Sequence, residues 1–261
     1  MPGHHHVIYE QRDSVAIITL CKPEKRNAID GPMAAELREA FQRFNSDDTV
    51  RVGILTGAGG TFCAGGDLSS VGDPERRSEV DPEGGGTGPL GPTRMPMQKP
   101  LIAAVNGYAV AGGLELATMA DLRVADEDAI FGVFCRRWGV PLIDGGTVRL
   151  PRIVGMGHAL DMILTGRPVT APEAKAMGLV NRITATGGAL EEALTLARQI
   201  ASFPQRCMLA DRRSAYDQWG LDYASALRHE GTLGAPIVAA EGVGGAARFA
   251  GGAGRHGEFE F

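Results

Sequence analysis

The chain has 261 residues, 44% hydrophobic and 22% charged, with a net charge of −5, which suits a globular protein with a sizeable core in one large domain or a domain with an appendage. That balance disfavours nucleic acid as a partner, local basic patches aside, and no apolar run approaches the roughly 18 residues of a membrane span. Cys21, Cys63, Cys135 and Cys207 are widely spaced and form no CxxC pair, so they read as reduced thiols; with no apolar signal core the expectation is a cytoplasmic protein without a metal site, His4, His5 and His6 being a tag remnant or solvated tail.

Residues 15–20 (VAIITL) read as a strand. Residues 32–44 set Leu37, Ala40, Phe41 and Phe44 at helical spacing, predicting an amphipathic helix that leads to a strand at 52–55. The following loop, TGAGGTFCAGGDL (56–68), carries Ala64, Gly65 and Gly66, small enough to bring backbone up to a ligand. AGGD serves equally well as a plain turn. Residues 72–100 are rich in Gly and Pro with few large apolar residues, which predicts a mobile loop.

Residues 101–105 form another apolar strand, Asn106-Gly107 breaks it, and Gly112-Gly113 opens a helix over 112–120 before a strand at 122–125. The recurring order of strand, helix and strand argues for an α/β fold with parallel strands. The free N–H groups of the first turn at Gly112 favour a developing negative charge. Gly112 lets a ligand oxygen reach the backbone, and Glu115 lies in the same turn. One turn therefore supplies an oxyanion donor and a base, or the glycines serve only helix packing and Glu115 is a solvated first-turn acid. A two-donor oxyanion hole would add the Ala64 N–H to that of Gly112.

Beyond Ala189, residues 190–203, 205–219, 223–233 and 236–249 read as successive helices, followed by a glycine-rich tail ending RHGEFEF. GxGxxG matches at 86–91 and 252–257 follow no strand and open no helix, so they are accidents of composition. Phosphate-loop lysine, HExxH and GxSxG motifs are lacking.

KPEKRNAI (22–29), FCAGGDL (62–68), NGYAVAGGLELA (106–117), FGV (131–133) and GGTVRLPRIVG (145–155) occur in that order. Together they resemble the crotonase superfamily, the enoyl-CoA hydratase/isomerase family, over roughly residues 7–250. The resemblance implies an α/β crotonase-like spiral of ββα turns with a C-terminal helical trimerisation region. Residues 1–200 would form the core that binds acyl-CoA and holds the active site; residues 201–261 would serve oligomerisation and cover that site. A homotrimer or hexamer is implied, with Leu221, Leu227, Leu233, Ile237 and Phe249 as apolar surface for assembly.

The implied substrate is an acyl-CoA thioester in fatty-acid or related acyl-CoA metabolism; coenzyme A belongs to the substrate and no further cofactor is expected. Its carbonyl would sit on the Ala64 and Gly112 amides, stabilising an enolate-like anion. Substrate and CoA contacts would come from Lys25, Arg26, Ala28, Ala64, Gly65, Gly66, Asp67, Leu68 and Gly112. Lys25 and Arg26 either meet CoA phosphates or are ordinary surface charges. Met95 and Met97 either line the acyl pocket or pack on the surface.

Family hydratases use two glutamates. Glu115 matches the first, and the second falls at Cys135, which departs from the pattern. A thiol with pKa near ~8.5 is mostly neutral at pH 7 and holds water poorly, so Cys135 reads as a buried apolar contact. Asp144, nine residues on, either replaces the missing acid, as an aspartate in this neighbourhood does in some family isomerases, or caps the helix that begins near Gly145. The leading expectation is a hydratase or isomerase with Glu115 and Asp144 catalytic, Glu115 as general base or acid. An acyl-CoA-binding member with little or no hydratase activity, and a scaffold role, stand beside it.

Overall fold

The computed structural model describes residues 5–254; His4, the end of the second GxGxxG match and the RHGEFEF segment lie outside them. The chain opens with β1 (Val7–Arg12) antiparallel to β2 (Val15–Leu20). Sequence alternation did not reveal β1, because VIYEQR sits at the sheet edge with mostly exposed side chains. In α1 (Gly31–Ser46), the Asp30 carboxylate accepts the Met33 amide at 3.3 Å, and Pro32 fits the first turn. The helix buries the stripe Met33, Leu37, Phe41 and Phe44.

β3 (Val52–Gly57) and β4 (Leu101–Val105) are buried along their whole length. Central parallel strands are covered on both faces, which is why their sequences are unbroken apolar runs. The chain then leaves this sheet in β5 (Tyr108–Val110), forms α2 (Gly112–Met119), and returns in β6 (Leu122–Asp126). It leaves again in β7 (Ile130–Gly132) and forms α3 (Gly146–Thr165), interrupted at Gly155. β8 (Val169–Thr170), α4 (Ala171–Ala176) and β9 (Arg182–Thr184) follow. One sheet has the order β1-β2-β3-β4-β6-β9, parallel from β2 onward, and a second has the order β5-β7-β8. The turns β4-β5-α2 and β6-β7-α3 thus each contribute one strand to each sheet before the helix.

Residues 72–100 form no helix or strand, in keeping with the loop their composition predicts, but residues 89–93 of it are buried. Contacts divide the chain into two compact units between Ala197 and Arg198, inside α5 (Ala189–Ser202). The second unit contains α6 (Gln205–Asp217), α7 (Tyr223–Ile237) and α8 (Val243–Ala250). The expected break before Pro236 does not occur. α7 runs through it, and the π-helical turn Val238–Gly242 keeps the backbone helical up to α8, because the proline sits in the last turn, where one lost bond is absorbed locally. Among the described residues no helix is long and apolar enough to cross a membrane.

Candidate active site

Pairing between Cys63 and β5 brings the 62–68 loop to the start of α2. The Cys63 amide donates to the Tyr108 carbonyl at 2.9 Å, and the Val110 amide donates back to the Cys63 carbonyl at 3.1 Å. The chain reverses sharply at Ala111 (φ 53°, ψ −123°), whose amide is held by the Gly132 carbonyl at 2.8 Å. Glycine is required at Gly113, where a Cβ would overlap the Cys63 carbonyl, whereas a Cβ at Gly112 would displace the tip of Leu90. The start of α2 opens into a cavity of about 850 Å³.

Gly112 lines that cavity, and its amide has no acceptor among the described residues. Ala64 lines it too, but its amide donates to the Arg26 carbonyl at 3.0 Å, so the second donor expected at Ala64 is already spent. Two residues on, Gly66 lines the same cavity, and its amide has no acceptor among the described residues. Gly65 packs its Cα against the Gly112 backbone and does not line the cavity.

Glu115 is only 2% exposed and reaches the cavity. Its Oε1 accepts the amides of Asp144 and Gly146, each at 2.8 Å. Burial pushes its carboxyl up to about 7, the nearby Asp144 charge adding to the rise and the Gly146 amide opposing it. Asp144 is 4% exposed and lines the same cavity. Burial raises its carboxyl as well, against hydrogen bonds from Thr93 and Leu90 and the charges of Arg94 and Arg149. It is not a helix cap. Gly145 occupies the N-cap of α3, and no side chain caps there. The Asp144 Oδ1 instead accepts the Leu90 amide at 3.0 Å and the Thr93 hydroxyl.

Cys135 sits in the short helical turn Phe134–Trp138 and lines the cavity. Burial and the Glu115 charge push its thiol up, so it stays neutral. The structure therefore gathers Glu115, Asp144, Gly112, Gly66 and Cys135 around one space. Arg26, Asp67 and Leu68 also line it, whereas Lys25 and Ala28 do not. Lys25 reaches the Ser69 hydroxyl at 3.4 Å and lies 3.9 Å from Asp67. Met95 and Met97 pack against the hydrophobic core, outside the cavity lining.

Asp67 is held structurally: its carboxylate accepts the Ser69 amide at 3.0 Å and pairs with Arg76 at 3.2 Å. Although burial raises it, the Ser69 hydrogen bonds and the charges of Lys25 and Lys22 keep its carboxyl below the usual range. Lys22, Asp30, Asp67 and Arg76 form one ionic cluster, with Lys22 to Asp30 at 2.7 Å. Sequence reasoning missed this cluster, and also Leu90, Thr93 and Arg149 around Asp144. KPEKRNAID does contain the Lys22/Asp30 pair, but nothing in a glycine-rich stretch points from Thr93 to residue 144.

The two-sheet spiral and a buried carboxylate facing an open helix start define a crotonase-class protein. Residues 10–219 match the enoyl-CoA hydratase/isomerase family, and the chain belongs to it. It is 40% identical over 203 residues to enoyl-CoA hydratase EchA19 of Mycobacterium tuberculosis, covering 75% of this chain and 74% of the relative. Carnitinyl-CoA dehydratase of Proteus mirabilis is 39% identical over 193 residues, covering 73% and 72%. The crystal structure of enoyl-CoA hydratase EchA1 from Mycobacterium marinum superposes with a TM-score of 0.87 at 37% identity, covering 95% of this chain and 96% of that one.

Proposed function

We propose that the protein binds an enoyl-CoA thioester and catalyses hydration of its double bond or the related isomerisation, through Glu115 and Asp144. The observation that carries this reading is the pair of buried carboxyls with raised pKa in one cavity beside the free Gly112 amide. The thioester carbonyl oxygen would rest on the Gly112 and Gly66 amides, which stabilise the enolate-like anion. In hydration, ionised Asp144 takes a proton from water as the water oxygen adds to the β-carbon. The double-bond electrons move toward the carbonyl, and protonated Glu115 gives its proton to the α-carbon. Glu115 is the protonated partner because burial and the Asp144 charge raise its carboxyl to about 7, whereas hydrogen bonds from Thr93 and Leu90 favour the ionised form of Asp144.

A second reading rests on Cys135, a neutral thiol lining the cavity at the position the family resemblance assigns to the second glutamate: an acyl-CoA-binding protein with little turnover also fits the cavity. Calorimetric titration with acetyl-CoA and turnover of crotonyl-CoA separate the readings. Binding with turnover supports the enzyme, binding alone supports the second reading, and no binding up to millimolar concentration defeats both. The reading includes a cytoplasmic protein, with coenzyme A as part of the substrate and no other cofactor. It also includes a homotrimer or hexamer, supported by exposed Leu221, Leu227 and Phe249.

A further inference from the structure

We propose that Thr93 is a positioning residue for the acid–base pair: its hydroxyl fixes the Asp144 carboxyl so that the exchangeable proton sits on Oδ2, facing the cavity. The inference rests on the reading of Asp144 as the base. Thr93 is fully buried, and its hydroxyl donates to Asp144 Oδ1, the oxygen that also accepts the Leu90 amide at 3.0 Å. An oxygen receiving two donors is the poorer place for a proton. The other oxygen, Oδ2, has no partner among the described residues and belongs to a side chain lining the cavity.

The surrounding contacts hold this arrangement in register. Arg94 donates to the Ile143 carbonyl at 2.7 Å. Arg149 donates to the Thr93 carbonyl at 2.5 Å and to the Asp144 carbonyl at 2.9 Å. A Cβ at Gly88 would overlap the Thr93 hydroxyl, so the loop closes on Thr93 only with glycine there. The same loop sets Leu90 against Gly112, and so ties the base to the wall over the oxyanion donor.

Glu115 reproduces the design independently. Its Oε1 takes two amide donors, leaving Oε2 without a partner among the described residues. The difference is that backbone fixes Glu115, whereas Asp144 depends in part on one removable hydroxyl. The charged and titratable groups facing Asp144 are Glu115 from α2, Arg94 from the Thr93 loop and Arg149 from α3, and Cys135 lines the same cavity. Thr93→Val leaves all four in place and keeps the side-chain shape.

The test is a carboxyl titration of the full chain labelled with ¹³C at aspartate, Asp144 being assigned by its loss in Asp144→Asn. Labelling aspartate alone keeps Glu115 out of the spectrum. Thr93→Val should raise the Asp144 midpoint by roughly 1 pH unit, the scale of a lost hydrogen bond to a charged acceptor, and Thr93→Ser should restore it. With crotonyl-CoA, Thr93→Val should lower kcat about tenfold at nearly constant KM and move the acidic limb of the pH profile upward, because the base stays protonated to higher pH. An unchanged midpoint in a folded Thr93→Val overturns the proposal, as does a Thr93→Ser variant that behaves like the valine. Should the valine variant not fold, Thr93→Ala carries the same comparison. Full activity in Asp144→Asn is a different failure: it removes the base itself and, with it, any part for Thr93 in catalysis.

Discussion

Glu115→Gln should make the protein more stable at neutral and alkaline pH while impairing turnover. The Glu115 Oε1 accepts two backbone amides at 2.8 Å, and a glutamine oxygen accepts both equally, its NH₂ falling at the partner-free side. What the substitution removes is the cost of ionising a buried carboxyl whose pKa rises from 4.5 to about 7. A group raised in the folded state binds its proton more tightly there than in the unfolded chain. Stability is then greatest below pH 4.5, falls as pH rises toward about 7, and levels off above. At about 1.4 kcal/mol for each pH unit between the two values, the ionised carboxyl costs about 3 kcal/mol at pH 8. Urea unfolding of both proteins at matched concentration, at pH 4 and pH 8, reads the difference directly. Glu115→Gln should be more stable by about 3 kcal/mol at pH 8 and nearly equal at pH 4. An equal difference at both pH values, or none at pH 8, would refute the raised carboxyl.

Gly112→Pro removes the free amide, and because any Cβ there meets Leu90 the comparison is with Gly112→Ala: a folded proline variant should lose roughly 10²–10³-fold in kcat on crotonyl-CoA relative to the alanine variant, with acyl-CoA binding retained. An unchanged rate would exclude Gly112 as the oxyanion donor. Lys22→Met leaves buried Asp30 without its 2.7 Å partner and should cost about 3 kcal/mol of unfolding free energy. A change under ~1 kcal/mol in urea titration would show that Arg76 alone compensates.

The long buried strands were readable because burial on both faces leaves a continuous apolar run, as in residues 101–105. β5, β7 and β8 were not, since strands of two or three residues exist only through pairing with distant chain. Glu115 was readable because the glycines that open α2 lie within three residues of it. The second free amide was misplaced by two residues. Small side chains mark Ala64, Gly65 and Gly66 alike, and only the tertiary bond from Ala64 to the Arg26 carbonyl distinguishes them. Asp144 was visible as an acid near a helix start, but its partners Leu90 and Thr93 lie more than fifty residues earlier in a stretch whose composition reads as loop. The polar anchor at residue 144 is what turns that stretch into buried structure.

The central claim is that Glu115 and Asp144, not Cys135, carry the proton chemistry. Its most direct test is the loss of enoyl-thioester absorbance on hydration of crotonyl-CoA by the parent protein, Asp144→Asn and Cys135→Ala, followed across pH. The account predicts at least ~10²-fold lower kcat for Asp144→Asn with binding largely retained, the scale of general acid–base catalysis, and a nearly silent Cys135→Ala. Full activity in Asp144→Asn together with collapse in Cys135→Ala would contradict it.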